Sequence, residues 1–481
     1  MEAVVDGDWA KLSERHFGSA SLGDARRSRR LVKTAELIFK HPAGTLPDKL
    51  PHWADLMGLY RLLDAEEVTH AAVIAPHCRW TLDQMRQTPG VVLLLHDTTE
   101  LDYTTRRAAA AGLGQIGNGG GRGYLCHNTL AVTPGTADRP GDRRVIGLAA
   151  QVLRPRRTVP QGETARQKRQ HPDRESRLWA QGRQQVGDAP AGATWVDVCD
   201  RGADCFEFLE YEHAHGRHYV IRAAKDRRLD GEDHLGCDRV HRTLYAYARD
   251  LPAMGPTRQV ELGASTRKGA KARTATVRIA AGPLTLAAPA NPRGQCAAAS
   301  LDLWVIRVAE VDPPPGVAAV EWVLLSNVPA ATPAQAAERV DWYACRPMIE
   351  DYHKGQKSGV DIELPQLESP ERLAPLIGLL SVVAAVLLQL RHAARQPEAA
   401  HAPATGAGVP TLWVQLVAAQ AYRTPGRELS VAEFFVGVAR LGGHLARKND
   451  GPPGWQTMWR GWQRLHLLVE GAEAVMGGNC V

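Results

Sequence analysis

Cysteine is present in this chain without a pattern that gives it a task. The eight cysteines, at 78, 126, 199, 205, 237, 296, 345 and 480, form no Cys-x-x-Cys pair and no zinc-type spacing. No basic start followed by an apolar stretch opens the sequence. These absences predict a reduced, cytoplasmic protein. Long hydrophobic runs are equally scarce. The single one, Leu373 to Leu390, reaches the length of a membrane span, but a helix buried on all sides of a large domain has the same composition, and a core helix with no membrane role is expected. "GLGQIG", from Gly112 to Gly117, satisfies the dinucleotide pattern in form only, because a Gly-rich stretch and not a helix follows it. A flexible loop is expected there, and no nucleotide cofactor.

Extreme charge is also missing, since a net charge of +6 with 23% charged residues is a globular balance. The excess is local. Between Asp138 and Arg183 there are 12 Lys or Arg against 5 Asp or Glu, a field that suits an anionic polymer. At 481 residues several modules are expected. Residues 1–75 read as helices, with Asp24 as an N-cap and Arg26, Arg29, Arg30 and Lys33 within about 100° of one helical face. Arg26, Arg27 and Arg30 are this head's candidate polymer contacts, with a solvated basic face as the plain alternative. Residues 76–225 alternate apolar strands with helices: "VVLLLHD" ends on Asp97, "ATWVDVCD" ends on Asp200, and "HYVIRAA" follows. Residues 226–330 show β-rich alternation and read as an inserted antiparallel β-domain. A helix over 333–357 and the apolar helix complete residues 331–395. A Pro, Ala and Gly-rich linker then leads into a helical region, 396–481, on which Trp455, Trp459 and Trp462 lie within about 60°.

The most informative stretch is "YACRPMIEDYHKGQK", residues 343–357. On a continuous helix Arg346, Glu350 and Lys357 fall roughly 60°, 20° and 40° behind Tyr343, so all four share one stripe. A solvated face with salt bridges has that pattern too. Asp97 and Asp200, closing two strands, add carboxylates that meet if the strands are neighbours, and Glu350 on a later helix can join them. Three carboxylates supply hard oxygens for Mg²⁺ or Mn²⁺, and two such ions serve phosphoryl transfer. Asp102, Asp197 and Asp204 are competitors for these places.

"LLLHDTTELDY", "VCDRGADCFEF" and "DWYACRPMIEDYHKGQKSG", in this order and with a β-rich insert between the last two, resemble the DDE transposases of the insertion-sequence-four family, the group of the transposon-five transposase. The head "WAKLSERHFGSASLGDARRSRRLV" and the end "VARLGGHLARKNDGPPGWQTMWRGWQRL" resemble that family's DNA-end-binding and C-terminal regions. The resemblance implies a ribonuclease-H-like α/β core interrupted by an antiparallel β insert, with helical N-terminal and C-terminal regions. It implies a cut-and-paste enzyme acting on double-stranded DNA as a homodimer, with two Mg²⁺ (or Mn²⁺) per site. Asp97, Asp200 and Glu350 would be the catalytic and metal carboxylates. Tyr343, Arg346, Lys354, Lys357, Arg222, Lys225 and His127 would be DNA contacts, and Trp322 the stacking partner of a flipped base. Two positions depart from the pattern. Gly202 stands where an acid is frequent, and Pro347 follows Arg346, where an aromatic is usual and where a proline would kink a helix. A cleavage-incompetent, transposase-derived DNA-binding protein is therefore the alternative.

Overall fold

The computed structural model describes residues 9–135, 143–230, 242–262, 273–292, 294, 296–393, 400–406, 409–447, 450 and 453–477. The head is helical: α1 (Trp9–Phe17), α2 (Ala25–Lys40) and α3 (Trp53–Leu63), followed by α4 (His70–Gln87). Asp24 caps α2 as expected, its carboxylate accepting from the Arg26 N–H at 2.7 Å. The boundary expected after residue 75 falls inside α4, which packs on the central sheet and on α1.

That sheet is built from β1 (Val91–Asp102), β2 (Gly114–Ile116), β3 (Gly121–Thr133) and β4 (Arg144–Pro155). After helix α5 (Leu178–Val186) come β5 (Thr194–Cys199), helix α6 (Phe206–Ala214) and β6 (His218–Arg222). The strands run in the order β2-β3-β1-β5-β6, with β4 also on β3. β1, β5 and β6 are parallel, while β3 is antiparallel to β1. Continuous apolar runs such as "VVLLL" form β1 because both faces of this sheet are covered by helices. "GLGQIG" supplies β2 instead of the loop expected, because Gly114 to Ile116 pair with Gly123 to Gly121.

The insert begins with α7 (Leu244–Asp250) and continues as β7 (Arg258–Leu262), β8 (Arg273–Ala287), β9 (Ser300–Glu310) and β10 (Glu321–Ser326). Its strands are antiparallel, as the alternation predicts, but they form no sheet of their own. β10 pairs with β6 through Leu324↔Arg222, so the insert extends the core sheet. Residues 231–241 and 263–272 of the insert lie outside the described residues.

The helix expected over 333–357 is interrupted. It comprises α8 (Pro333–Tyr343), a turn, α9 (Pro347–Lys354) and a π-helical turn, Gly355–Gly359. Pro347 sits at the first position of α9, where its missing N–H is unneeded, so it starts a helix instead of kinking one. The apolar run forms α10 (Pro370–Ala393), which lies in the core with 83% of its most apolar window buried. Three further helices follow, α11 (Thr411–Tyr422), α12 (Val431–Leu441) and α13 (Trp455–Gly477), with part of the linker, residues 394–399, outside the described residues. The mixed α/β architecture with helical ends is the expected one, and it is consistent with a ribonuclease-H-like core.

Candidate active site

The site starts from the register of two parallel strands. The β1–β5 ladder ends at His96↔Cys199, so the next residue on each strand, Asp97 and Asp200, leaves the ladder at the same level. β1 does not end at Asp97; it continues along β3 to Asp102, which leaves Asp97 opposite Asn128 in mid-strand. Asp200 caps a short turn and accepts from the Gly202 N–H at 2.8 Å. A side chain at Gly202 would meet the Trp179 ring at 2.6 Å, which accounts for glycine there.

α9 brings the third carboxylate. Its N-cap, Arg346, is largely buried, and its guanidinium lies 3.0 Å from Asp97 Oδ2, 3.8 Å from Asp200 Oδ2 and 2.7 Å from Glu350 Oε1. Three acids from segments far apart in sequence thus surround one cation. Burial works against the Arg346 charge, but Asp97, Asp200, Tyr343 and Glu350 together hold its pKa above the ordinary arginine value. Asp97 is pushed up to about 6 by burial, with Arg346 opposing and Asp200 and Glu350 adding to the rise. Among the described residues no three Asp, Glu, His or Cys side chains stand close enough to hold a metal ion as they are. The Arg346 guanidinium lies between these carboxylates, within 4 Å of each. The donor set itself, three carboxylates with hard oxygens and more negative charge than one guanidinium offsets, fits divalent magnesium or manganese.

The remaining candidates fall into two groups. Tyr343 is buried beside Arg222, and burial raises its hydroxyl above the ordinary value while Arg222 and Arg346 oppose. Arg222 also donates to the Glu321 carbonyl at 2.9 Å. Trp322, half-buried, meets the Tyr343 ring edge-on with centroids 5.2 Å apart. Lys357 donates to the Glu100 carbonyl at 2.6 Å and lies 3.1 Å from Glu363. Lys225 and Lys354 are exposed; the Lys225 N–H donates to Asp204 at 3.2 Å, and Lys354 lies beside Asp351 at 3.4 Å.

His127 is the correction. Opposite Thr98 in the β1–β3 register, it faces away from Asp97, because side chains alternate across a strand. It is fully buried between His96, Thr98 and Trp179, so the direct DNA contact expected of it is not available. His96 in turn meets Asp197 at 2.7 Å, and Asp197 binds Arg183 at 2.9 Å, so Asp197 belongs to this buried layer and not to the site. Asp204 is likewise engaged elsewhere, by Arg227 at 2.6 Å. Two neighbours of the site escaped sequence reasoning. His353 is 4.0 Å from Asp97 and its Nε2 is 3.1 Å from Asn128, and burial first, then Lys357 and Arg346, lower its pKa to about 3. The only signal for it was its place one helical turn after Glu350.

The basic head is more neutralised than its sequence suggests. Arg27 pairs with Glu67 at 2.7 Å, and Arg30 and Lys33 pair with Asp55 at 3.0 and 2.7 Å. Arg26, paired with its neighbour Asp24, is 82% exposed, and Arg29 is exposed. At the other end, Trp462 packs within its own chain against Trp9, Trp413 and Phe435, and Trp459 is buried; the Trp455 side chain lies outside the described residues. Among the described residues the large apolar side chains that α13 leaves exposed are Leu467, Val475 and Met476.

Residues 7–68 match the family model of transposase DNA-binding domains, and residues 408–477 match that of the transposase Tn5 dimerisation domain. The N-terminal match is to a transposase DNA-binding domain and the C-terminal match to a Tn5 dimerisation domain. The matches support a DNA-binding transposase that forms homodimers. They flank the segments that carry the acids, and α13, with its exposed leucine and valine, is part of the matched dimerisation region.

Proposed function

We propose that the chain is a cut-and-paste DNA transposase of the DDE type, which binds transposon terminal repeats, cleaves DNA by phosphoryl transfer and joins the 3′ ends to target DNA. The observation that carries this reading is the convergence of Asp97, Asp200 and Glu350 on Arg346, between ends that match transposase DNA-binding and dimerisation domains. Asp97, Asp200 and Glu350 would hold two Mg²⁺ or Mn²⁺. When bound, such ions supply a more acidic water and a charge clamp on the reacting phosphate.

The chain's own residues do the rest. Arg346 partly offsets the charge of the carboxylates before DNA arrives and, released from them, would offer a planar pair of donors to a phosphate. Tyr343 and Arg222 stand beside it to fix the backbone of the DNA end. His353, neutral at physiological pH, keeps Asn128 engaged next to Asp97 without adding charge. Lys357, tethered to strand β1 at the Glu100 carbonyl, would approach the strand next to the cut. The reaction order implied by the family likeness is a nick, attack of the freed 3′-hydroxyl to form a hairpin, hairpin opening and strand transfer, with Trp322 holding the extruded base. The cleavage-incompetent alternative draws on a kink at Pro347; against it stands that Pro347 begins α9 and that Arg346, just before it, reaches Asp97, Asp200 and Glu350.

The test is single replacement of Asp97 and Asp200 by Asn and of Glu350 by Gln. Each variant should lose Mg²⁺-dependent cleavage of a plasmid carrying the gene and its flanking DNA, and each should keep its DNA affinity in a gel shift. Cleavage at the wild-type rate by any one of them removes that residue from the site.

A further inference from the structure

Gly359 closes the π turn that carries Lys357, and it is buried against Trp459 of α13. A Cβ built on Gly359 would lie 2.6 Å from the indole Nε1 and 3.2 Å from Cδ1, so the ring rests on bare backbone that no larger residue could offer. The indole cannot easily drift from this seat. A Cβ on Gly461 would lie 1.8 Å from the Val438 carbonyl, and one on Gly442 would lie 1.8 Å from that of Thr457. Helices α12 and α13 therefore cross backbone to backbone, and Trp459, two residues before the crossing, is aimed by it.

On its other side the π turn rests on α10. Gln356, fully buried, donates to Ser381 Oγ at 3.0 Å and to the Tyr352 hydroxyl at 3.3 Å. The wide turn is closed by the Val360 N–H on the Gly355 carbonyl at 2.9 Å and the Ile362 N–H on that of Gln356 at 3.0 Å. π turns are rare and persist where the surroundings hold them. Here the surroundings are α10 and α13, and Lys357 is the side chain that leaves this sandwich for Glu100 and Glu363.

We propose that Trp459 is a positioning residue for the active site: by seating on Gly359, the helix of the dimerisation region holds the π turn and keeps Lys357 on the Glu100 carbonyl of β1, the strand that carries Asp97. Assembly through the C-terminal region and the geometry of the site are then coupled within one chain by direct packing. This rests on the reading of Lys357 as a functional side chain at the cut strand, and the test separates the two.

The full-length chain is compared as wild type, Gly359→Ala, Trp459→Phe, the double variant and Lys357→Met. Readouts are amide hydrogen exchange over residues 355–360 without DNA, gel-shift affinity, and cleavage of the plasmid carrying the gene with its flanks. Gly359→Ala should speed exchange at 355–360 and slow cleavage at least about tenfold, the scale of a small misplacement, with DNA affinity unchanged. The double variant should recover protection and much of the rate, because the smaller ring makes room for the added methyl. Unchanged exchange and cleavage in Gly359→Ala, or a double variant no better than the single, overturns the coupling. If Gly359→Ala does not fold, Trp459→Phe alone decides it, since loss of ring atoms must raise exchange at 355–360 if the seat matters. Lys357→Met should keep its protection and lose cleavage. Wild-type cleavage by that variant sinks the role of the lysine while the exchange data still judge the contact.

Discussion

Two helices of this protein carry charged residues at helical spacing, and they use them in opposite ways. On α2, Arg27, Arg30 and Lys33 meet Glu67 and Asp55, all within the head. On α9, Arg346 and Glu350 also form a pair four residues apart, yet the same guanidinium reaches Asp97 and Asp200 from strands more than a hundred residues earlier. The first cluster could be a solvated face of any helical domain, since exposed pairs contribute only about 0–1 kcal/mol and open easily. The second gathers like charges that would otherwise repel, at a place where burial makes the repulsion costly. A helical charge pattern thus says little until long-range closure shows whether it balances locally or concentrates one sign.

Arg346→Met should break this contrast most severely. Without the guanidinium Asp97 loses its partner in the one largely buried pair of the set, a loss of about 3–5 kcal/mol, while the more exposed Asp200 and Glu350 add little. The DNA-free variant should melt earlier in the absence of divalent ions and gain more than wild type when Mg²⁺ or Mn²⁺ is added, because the ion restores the missing charge. Cleavage should fall about 10²- to 10³-fold, the usual cost of losing a donor to a reacting phosphate. Equal melting with and without the ion in both proteins would mean that the carboxylates do not form a cation site.

Trp322 sharpens the comparison at the site's edge, where an aromatic is either a core residue or a stacking platform. It is half-buried and edge-on to Tyr343, which leaves part of the indole available to a base. An indole face is worth about 1–3 kcal/mol to a stacked base. Trp322→Ala should therefore nick the first strand normally and slow hairpin formation about tenfold, with partial rescue by an abasic substrate. Equal loss in both steps, accompanied by a lower melting temperature, would make it a packing residue only.

The sequence made the local parts of this contrast legible and hid the non-local ones. A continuous apolar run announces β1 and a largely apolar one, broken by Asp197, announces β5, and their last ladder pair brings Asp97 and Asp200 to one level. Asp24 announced the start of α2. The continuity of the insert with the core sheet depends on β10 meeting β6, a pairing between segments about a hundred residues apart that no local pattern encodes. His127 was misplaced for a related reason: alternation decides which face a strand residue takes, but not which face of the sheet holds the site until the helices are docked. The break before Pro347 could have been read from the proline, which favours the first position of a helix as much as it disfavours the interior.

A cation that belongs to neither pattern offers a pH test. Lys49 is fully buried between head and core, donating to the Gly44 carbonyl at 2.6 Å, while the Gly44 N–H donates to Asp361 at 2.8 Å. Burial, partly offset by Asp361 and Asp48, lowers its pKa from 10.5 to about 8. Between these values the unfolded chain binds the proton and the folded chain does not, so stability should rise with pH across that window. Below about pH 8 both states are protonated and the cost of burying the charge is felt in full. Lys49→Met should flatten this rise in denaturant melts between pH 8 and 10. A variant with the same slope as wild type would assign the pH dependence to other groups.

The smallest effects are expected on α2, and they separate its arginines from one another. Arg26 is 82% exposed and held only by its helix-capping neighbour, so it can turn to a phosphate at little cost. Arg27 also donates to the Leu22 carbonyl at 2.9 Å, which fixes the entry of the chain into the helix. Arg26→Ala should leave the melting temperature nearly unchanged and lower the slope of log affinity against log salt by about one, the signature of a single lost phosphate contact. Arg27→Ala should instead lower the melting temperature with a smaller change in slope, because its first duty is inside the head. Arg30, shared with Lys33 on Asp55, should fall between them, since either base can take over the carboxylate when the other leaves for DNA. If Arg26→Ala and Arg27→Ala give the same slope and the same melting temperature, the head does not divide its bases into holders and contacts, and the difference drawn between α2 and α9 loses its lower half.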